Sequence, residues 1–433
     1  MFRRFLTTLA ALSALAGCAY PANPPALPPA NAPAPLAAAD ALARRAPVTI
    51  LISIDGFRPD YLDRGLTPVL SRLAADGVTG PMRPSFPSKT FPNHWTIVTG
   101  LRPDRHGITA NSMEDPARPG EVFTMANDDP FWWNAAPPIW VTAEKADIPT
   151  ASMYWPGSNV GWGGVRASTW PNYVTGGTRP TDWQQFSQQM PNENRVRAIL
   201  DWMRRPAATR PRLVTTYFDV VDTAGHQYGP TSPQVNEALV EVDRAIGQLV
   251  EGLAVQGQAA NLVIVSDHGM AATSSDRVIA LDKIVSTEDA RVVESGPYAT
   301  FAPLPGREAA VAAALLKPHA HMECWRKAEI PAHLHYGKNP RVPPFLCLAE
   351  DGWMTYKTAP TTPFSRGEHG FDNNLPSMRA LFIANGPAFA RGQRIEDFDN
   401  VSVAPLLRTL LGLPADPTLD GTDAPFRPVL TQR

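Results

Sequence analysis

Val48-Thr49-Ile50-Leu51-Ile52-Ser53-Ile54, followed at once by Asp55-Gly56, is the stretch on which the fold turns. A continuous β-branched run without polar alternation reads as a strand buried on both faces, as in a parallel sheet. Open α/β sheets place ligand groups at the C-terminal ends of such strands, and an acid stands at that end here. Asp-Gly is also a hairpin signal, but Thr67 to Ala75 has helical spacing and favours a strand-to-helix crossover.

The pattern returns twice. Leu213-Val214-Thr215-Thr216-Tyr217-Phe218 runs into Asp219 and then Asp222-Thr223-Ala224-Gly225-His226. An Asp and a His four apart can converge on one metal if the turn between them is helical. Asn261-Leu262-Val263-Ile264-Val265-Ser266 runs into Asp267-His268-Gly269-Met270, after an amphipathic helix from Pro233 to Leu253. A last apolar strand, Met378 to Ile383, follows Gly367-Glu368-His369-Gly370-Phe371, where flanking glycines allow close backbone approach.

Ser88-Lys89-Thr90-Phe91-Pro92-Asn93-His94 reads as a loop feeding a helix. Thr90 suits the N-cap, Pro92 is tolerated in the first turn, and Gly100 suits the stop. A hydroxyl there sits among unpaired N–H groups that favour an anion such as phosphate. Asn111 is a neutral donor of the kind a phosphoryl oxygen needs, and equally a loop residue. Nine aromatics crowd Phe131 to Tyr173; most read as core, and Tyr173 is favoured to stack a nucleobase.

The 433 residues carry a net charge of −2, which argues against a nucleic-acid groove, so no sequence-specific nucleic acid is expected. Residues 1–17 have a signal-peptide pattern: Arg3-Arg4, an apolar stretch too short to span a bilayer, then Leu15-Ala16-Gly17-Cys18. That ending resembles a bacterial lipoprotein signal and implies lipidation of Cys18, a membrane anchor in the cell envelope, and a place on the periplasmic side of the outer membrane. An ordinary secretory signal is the alternative. Residues 18–45 read as a Pro/Ala-rich tether. Cys324 and Cys347 then remain, and an even pair in an exported chain favours a disulfide over free thiols. Residues 281–358, with four histidines and both of these cysteines, read as an insertion into a core of 46–280 and 359–433. His333 and His335 alternate as strand neighbours do.

Six of the collected side chains, Asp55, Asp222, His226, Asp267, His268 and His369, are oxygen and imidazole donors without thiolate, which suits zinc, with manganese or iron as alternatives. They make two three-ligand sites, the arrangement of a two-metal phosphoryl-transfer centre, and Thr90 near one ion could ionise.

Lys89-Thr90-Phe91-Pro92-Asn93-His94, Asp222-x-x-Gly-His226, Ser266-Asp267-His268-Gly269-Met270 and Gly367-Glu368-His369-Gly370 together resemble the nucleotide pyrophosphatase/phosphodiesterase family of the alkaline phosphatase superfamily. The likeness runs from about residue 47 to 413 and includes Ile330-Pro331, His335-Tyr336, Asn339, Arg341 and Asp351-Gly352-Trp353. It implies an α/β, alkaline-phosphatase-like, doubly wound mixed sheet with helices on both faces and a small α+β capping insertion. It implies two Zn²⁺, one on Asp222, His226 and His369, the other on Asp55, Asp267 and His268 with Thr90 beside it as nucleophile. Asn111 would bind a non-bridging oxygen, and Phe91 would line the base or leaving-group pocket. The expected reaction cleaves a nucleotide phosphodiester or pyrophosphate to a nucleoside 5′-monophosphate through a Thr90-phosphoryl intermediate, in a monomer. The family's Glu-x-Pro-Asp is replaced here by Asp219-Val220-Val221-Asp222. Two rivals share the scaffold. A phosphomonoesterase would want extra cations, and Gly157 to Arg166 offers only Arg166 where related phosphatases carry Lys-x-Arg. A phospholipase C-like choline phosphodiesterase is the other.

Overall fold

The computed structural model describes residues 45–431. The expected signal peptide, Cys18 and nearly all of the expected tether lie outside the described residues. Among the described residues no helix is long and apolar enough to cross a membrane.

An eight-stranded mixed sheet organises the chain. Its strands are β1 (Val48–Ile54), β2 (Val78–Thr79), β3 (Thr150–Met153), β4 (Asp182–Gln184), β5 (Leu213–Phe218) and β6 (Ala260–Val265), with two more from the C-terminal part. In the order they join the chain, α1 is Pro68–Ala75, α2 Thr90–Thr99, α3 Asn192–Met203, α4 Val220–Tyr228 and α5 Pro233–Val255. Residues 281–358 add β7 (Ala290–Glu294), β8 (Tyr298–Pro303), α6 (Glu308–Leu315), β9 (Met322–Arg326) and β10 (Phe345–Ala349). The chain then returns to the sheet as β11 (Phe382–Asn385) and β12 (Gln393–Arg394), and closes with α7 (Val403–Leu411).

The sheet order is β12-β2-β11-β6-β1-β5-β3-β4. The centre, β6-β1-β5-β3, is parallel, and β11 runs antiparallel beside β6. Because strand side chains alternate between faces, the central strands feed two separate cores. Leu51, Leu213, Val263 and Val265 pack with α2 and α7; Ile50, Ile52, Val214 and Ile264 pack with α1, α3 and α5. This is why these strands are apolar without alternation. The doubly wound reading holds.

Parallel pairing also sets the site. Ile54 lies opposite Phe218 and Ser53 opposite Val265, so three neighbouring strands end at one level and deliver Asp55, the Asp219–Asp222 turn and Asp267-His268 side by side.

Within residues 281–358, Ala290 to Ala349 form a separate antiparallel sheet, β7-β8-β10-β9, with α6 on one face, whereas Met354–Tyr356 pairs in parallel with Val278–Ala280. Cys324 and Cys347 face each other across β9 and β10 and are disulfide-bonded. The other face, through Tyr298, Leu346 and Leu348, packs with Tyr336 against Phe86 on the approach to Thr90. His333 and His335 are not strand neighbours. Ala332–Leu334 is a 3₁₀ turn, and His335 leaves it with φ +50°. Pro331 opens that turn and fixes its backbone.

Candidate metal centre and active site

Thr90 is the first residue of α2 rather than its cap. Lys89 occupies the N-cap in extended conformation and makes no side-chain capping bond. The hydroxyl of Thr90 is therefore free of helix duty, and Oγ1 stands 3.3 Å from His268 Nε2. Gly100 ends the helix at φ +71°, a left-handed conformation glycine adopts without strain. His94, one turn on, holds the start of α2 in place. Its Nδ1 donates to the Thr90 carbonyl (2.8 Å) and its Nε2 accepts from the Ser53 hydroxyl (2.8 Å). Burial pushes its pKa down to about 3, so the ring is a neutral strut.

Three other histidines share one device. His226 Nδ1 lies 3.1 Å from the Gly367 carbonyl, His268 Nδ1 2.9 Å from that of Gly269, and His369 Nδ1 2.8 Å from that of Ser88. A carbonyl only accepts, so each Nδ1 carries a proton and Nε2 is the nitrogen left to ligate. All three Nε2 atoms point into the acid cluster. Nε2 of His369 is 3.0 Å from that of His226 and 3.5 Å from Asp222 Oδ1, while His226 Nε2 is 3.4 Å from Asp222 Oδ2. Nε2 of His268 is 2.8 Å from Asp267 Oδ2 and 3.4 Å from Asp55 Oδ1. Two imidazole lone pairs facing each other at hydrogen-bond distance repel unless a cation lies between them.

The carboxylates give the same message. The hydroxyl of Tyr217 donates to Asp55 Oδ2 (2.6 Å), and the Gly56 N–H donates to Asp267 Oδ1 (3.3 Å). The remaining oxygens, Asp55 Oδ1 and Asp267 Oδ2, and Asp222 Oδ1 with them, are buried without a hydrogen-bond partner. An unsatisfied buried carboxylate oxygen is costly. Burial, and then mutual repulsion with Asp267, lifts Asp55 well above the carboxylate range. Burial and then Asp55 lift Asp222 to about 8, and burial lifts Asp267 to about 7. Burial and the neighbouring His268 hold His369 well below the usual imidazole value. Hard oxygen and neutral imidazole donors that cannot satisfy one another fit divalent metal. Two groups within ligating range are Asp222, His226 and His369, and Asp55, Asp222 and His268. A third joins Asp55, His94 and Asp267, but both nitrogens of His94 are already engaged.

Asp55, Asp222, His226 and His369 line a cavity of about 590 Å³ together with Thr90, Phe91 and Asn111, while Asp267 and His268 are fully buried and do not reach its surface. Asn111 Oδ1 accepts from the Phe91 N–H (2.9 Å), so its amide nitrogen is the end left for a ligand. The Phe91 ring is braced by Trp133 and Phe123. Tyr173 is not brought to this site. It is 71% exposed, directly precedes the outer strand of the Val165–Arg166/Val174–Thr175 hairpin, and lines none of the cavity. The aromatic walls come instead from Phe91, Tyr154, Trp155, Phe186 and Tyr217. No residue of 281–358 lines the cavity either, so the insertion buttresses the approach to Thr90 through Phe86 rather than covering the chemistry. A larger groove of about 760 Å³ on the insertion contains none of these groups.

Sequence reasoning missed Tyr217, which looks like an ordinary strand aromatic, and the His94 strut. It also missed Lys89 and Glu368, which both line the cavity and pair at 3.1 Å. Asp219, on the departing Asp-Val-Val-Asp turn, binds the buried Arg195 (3.0 Å).

The model of the type I phosphodiesterase / nucleotide pyrophosphatase family matches residues 49–372. An uncharacterized pyrophosphatase/phosphodiesterase of Schizosaccharomyces pombe is 38% identical over 401 residues, covering 85% of this chain and 77% of that protein. Ectonucleotide pyrophosphatase/phosphodiesterase family member 1 of Mus musculus is 36% identical over 85% of this chain, which spans only 41% of the mouse protein. A bis(5′-adenosyl)-triphosphatase of Xenopus laevis is 35% identical, covering 86% of this chain and 79% of its own length. The structure of murine ectonucleotide pyrophosphatase/phosphodiesterase 5, an inactive variant in complex with AMP, superposes with a TM-score of 0.82 at 32% identity, over 89% of this chain and all of that one. The chain belongs to the type I phosphodiesterase / nucleotide pyrophosphatase family of enzymes, in the alkaline phosphatase superfamily.

Proposed function

We propose that this chain is a two-zinc phosphodiesterase/nucleotide pyrophosphatase that releases a nucleoside 5′-monophosphate through a phosphoryl-Thr90 intermediate. The observation that carries the reading is the Thr90 hydroxyl, unused by its own helix and 3.3 Å from His268 Nε2, on the floor of an aromatic-walled cavity. Asp222, His226 and His369 would hold one ion, and Asp55, Asp267 and His268 the other. When bound, the ions would supply positive charge that acidifies the nucleophile and stabilises the leaving oxygen. The protein's own groups do the rest. Thr90 Oγ1 forms the bond to phosphorus as the in-line bond to the leaving oxygen breaks. The Asn111 amide donates to a phosphoryl oxygen, and the braced Phe91 ring gives the base a rigid face. Water then opens the Thr90–phosphorus bond and restores the hydroxyl. The AMP-bound relative and the dinucleoside-triphosphatase relative support a nucleotide substrate.

The test compares a thymidine 5′-monophosphate p-nitrophenyl ester, p-nitrophenyl phosphate and p-nitrophenyl phosphorylcholine on the zinc-loaded chain. The nucleotide diester is expected to win by orders of magnitude. A win for either competitor moves the chain to the monoesterase or choline branch. The pattern from Arg3 to Cys18 supports a lipid anchor in the bacterial envelope. Labelled fatty acid should enter the wild-type chain in cells, and Cys18→Ser should abolish the label; an unlabelled wild type overturns the anchor.

A further inference from the structure

We propose that Glu368 selects diesters over monoesters by neutralising Lys89, the one Lys or Arg among the residues lining the cavity. The inference rests on the function proposed above and concerns only which charge state of phosphate the site accepts. A phosphodiester brings one negative charge to the reacting phosphorus, whereas a monoester near neutral pH brings close to two. The second charge needs a second free cation.

The wall of the cavity carries the acids Asp55, Asp219, Asp222 and Glu368. Against them stands Lys89, directly before Thr90 in the chain, and its ammonium is already taken. Nζ lies 3.1 Å from Glu368 Oε1, with side chains only 13% and 22% exposed. A pair so shielded from water is held more firmly than one at the surface. Glu368 is itself fixed: the same oxygen accepts the backbone N–H of His369 at 3.1 Å. Gly370 keeps the lane open for the lysine. It sits at φ +121°, and a Cβ there would come within 2.7 Å of Lys89 Cε. Glu294, on β7, faces the same ammonium from the insertion. Burial lifts its carboxyl to about 7 and it accepts the Tyr298 hydroxyl (3.1 Å), whereas Glu368 is the carboxylate that Lys89 Nζ contacts directly. Arg166 offers nothing in compensation: it pairs with Asp128, reaches Asp129 at 3.5 Å, and does not line the cavity. The cavity thus has a lysine beside Thr90 but no unpaired Lys or Arg side chain in its lining. Glu368 is a specificity residue that acts through Lys89.

The experiment uses the full, zinc-loaded chain as wild type, Glu368→Gln, Glu368→Asp and the double variant Lys89→Met/Glu368→Gln. It reads zinc content, the ratio of kcat/KM for p-nitrophenyl phosphate to that for the thymidine 5′-monophosphate p-nitrophenyl ester, and the inhibition constant of inorganic phosphate. Glu368→Gln should raise the monoester-to-diester ratio by about tenfold or more and tighten phosphate inhibition to a similar degree. Glu368→Asp should stay near wild type, and removing Lys89 should cancel the gain. An unchanged ratio and inhibition constant in a Glu368→Gln chain of full zinc content overturn the proposal, as does a gain that survives without Lys89. If Glu368→Gln lowers zinc content, Lys89→Met alone carries the test. It leaves Glu368 unpaired and should weaken phosphate inhibition by about tenfold; an unchanged constant overturns the proposal. A wild type that fails on the diester refutes the proposed function instead, and is read separately.

Discussion

Removing a single hydroxyl separates two kinds of residue in this site. Thr90→Ala deletes the proposed nucleophile and touches no other hydrogen bond of α2, since His94 holds the Thr90 backbone carbonyl, not its side chain. The expected result is a loss of about 10⁴-fold or more in kcat, the scale seen when a nucleophile is removed, with zinc content unchanged. Surviving turnover at the wild-type level would sink the mechanism. Tyr217→Phe deletes a hydroxyl that only orients Asp55, through a 2.6 Å bond. Its ring stays packed against His94 and Phe186. Zinc affinity should fall about 10- to 100-fold, the usual cost of losing a partner behind a ligand, and competition with a zinc chelator reads it. Activity should return at high zinc; if it does not, Tyr217 does more than orient. The contrast explains what was legible. Asp55, Asp222, Asp267 and His268 stand at or just beyond the ends of apolar runs, where an acid is conspicuous. Tyr217 sits inside such a run, where an aromatic is ordinary, and only the pairing of β1 with β5 brings it to Asp55.

Among the elements, the apolar runs were readable because strands buried on both faces need no alternation, and β1, β5 and β6 are such strands. Less readable was anything decided by packing between distant segments. Lys89 as N-cap is one case: with Lys89 extended, Thr90 enters the helix and its hydroxyl is released. Tyr173 is another. An aromatic between Pro171 and the Gly176-Gly177 pair gives no sign of whether its hairpin folds over the cavity, and it stands in solvent. A change of composition marks residues 281–358, yet the contact of their four-stranded sheet with Phe86 was not legible. Its disulfide offers a test of that element's independence. Cys324 and Cys347 are 23 residues apart, tie β9 to β10, and stand outside the cavity lining. Replacing both by Ser should cost about 2–4 kcal/mol, by the loop-closure argument, and lower the melting temperature. The kcat for the nucleotide diester at 25 °C should stay within about twofold, since the parallel strands and α2 are untouched. A collapse of kcat in a folded variant would show that the insertion governs the site.

Over the whole molecule, the site is a concentrated electrostatic liability that a bound cation converts into stability. Folding gathers Asp55, Asp222 and Asp267 at the ends of neighbouring strands, where burial first and mutual repulsion second resist ionisation. In the unfolded chain these carboxyls titrate near about 3.9. In the metal-free fold Asp267 is lifted to about 7 and Asp222 to about 8. The folded state therefore holds more protons than the unfolded state between those limits, and the metal-free protein must lose stability as pH rises from about 4 to 8. Metal binding demands the ionised carboxylates, so it becomes more favourable over the same window. His369 does not compete for protons there, because its pKa is pushed well below the usual imidazole value. The two trends have opposite signs and add in one observable. The melting temperature of zinc-loaded protein minus that of chelator-stripped protein should widen steadily from pH 5 to pH 8. The stripped protein alone should melt progressively lower across that range. A difference that stays constant or narrows would mean that the three carboxylates are already satisfied without metal, and that the buried unpaired oxygens of Asp55, Asp222 and Asp267 are not what the ions repair.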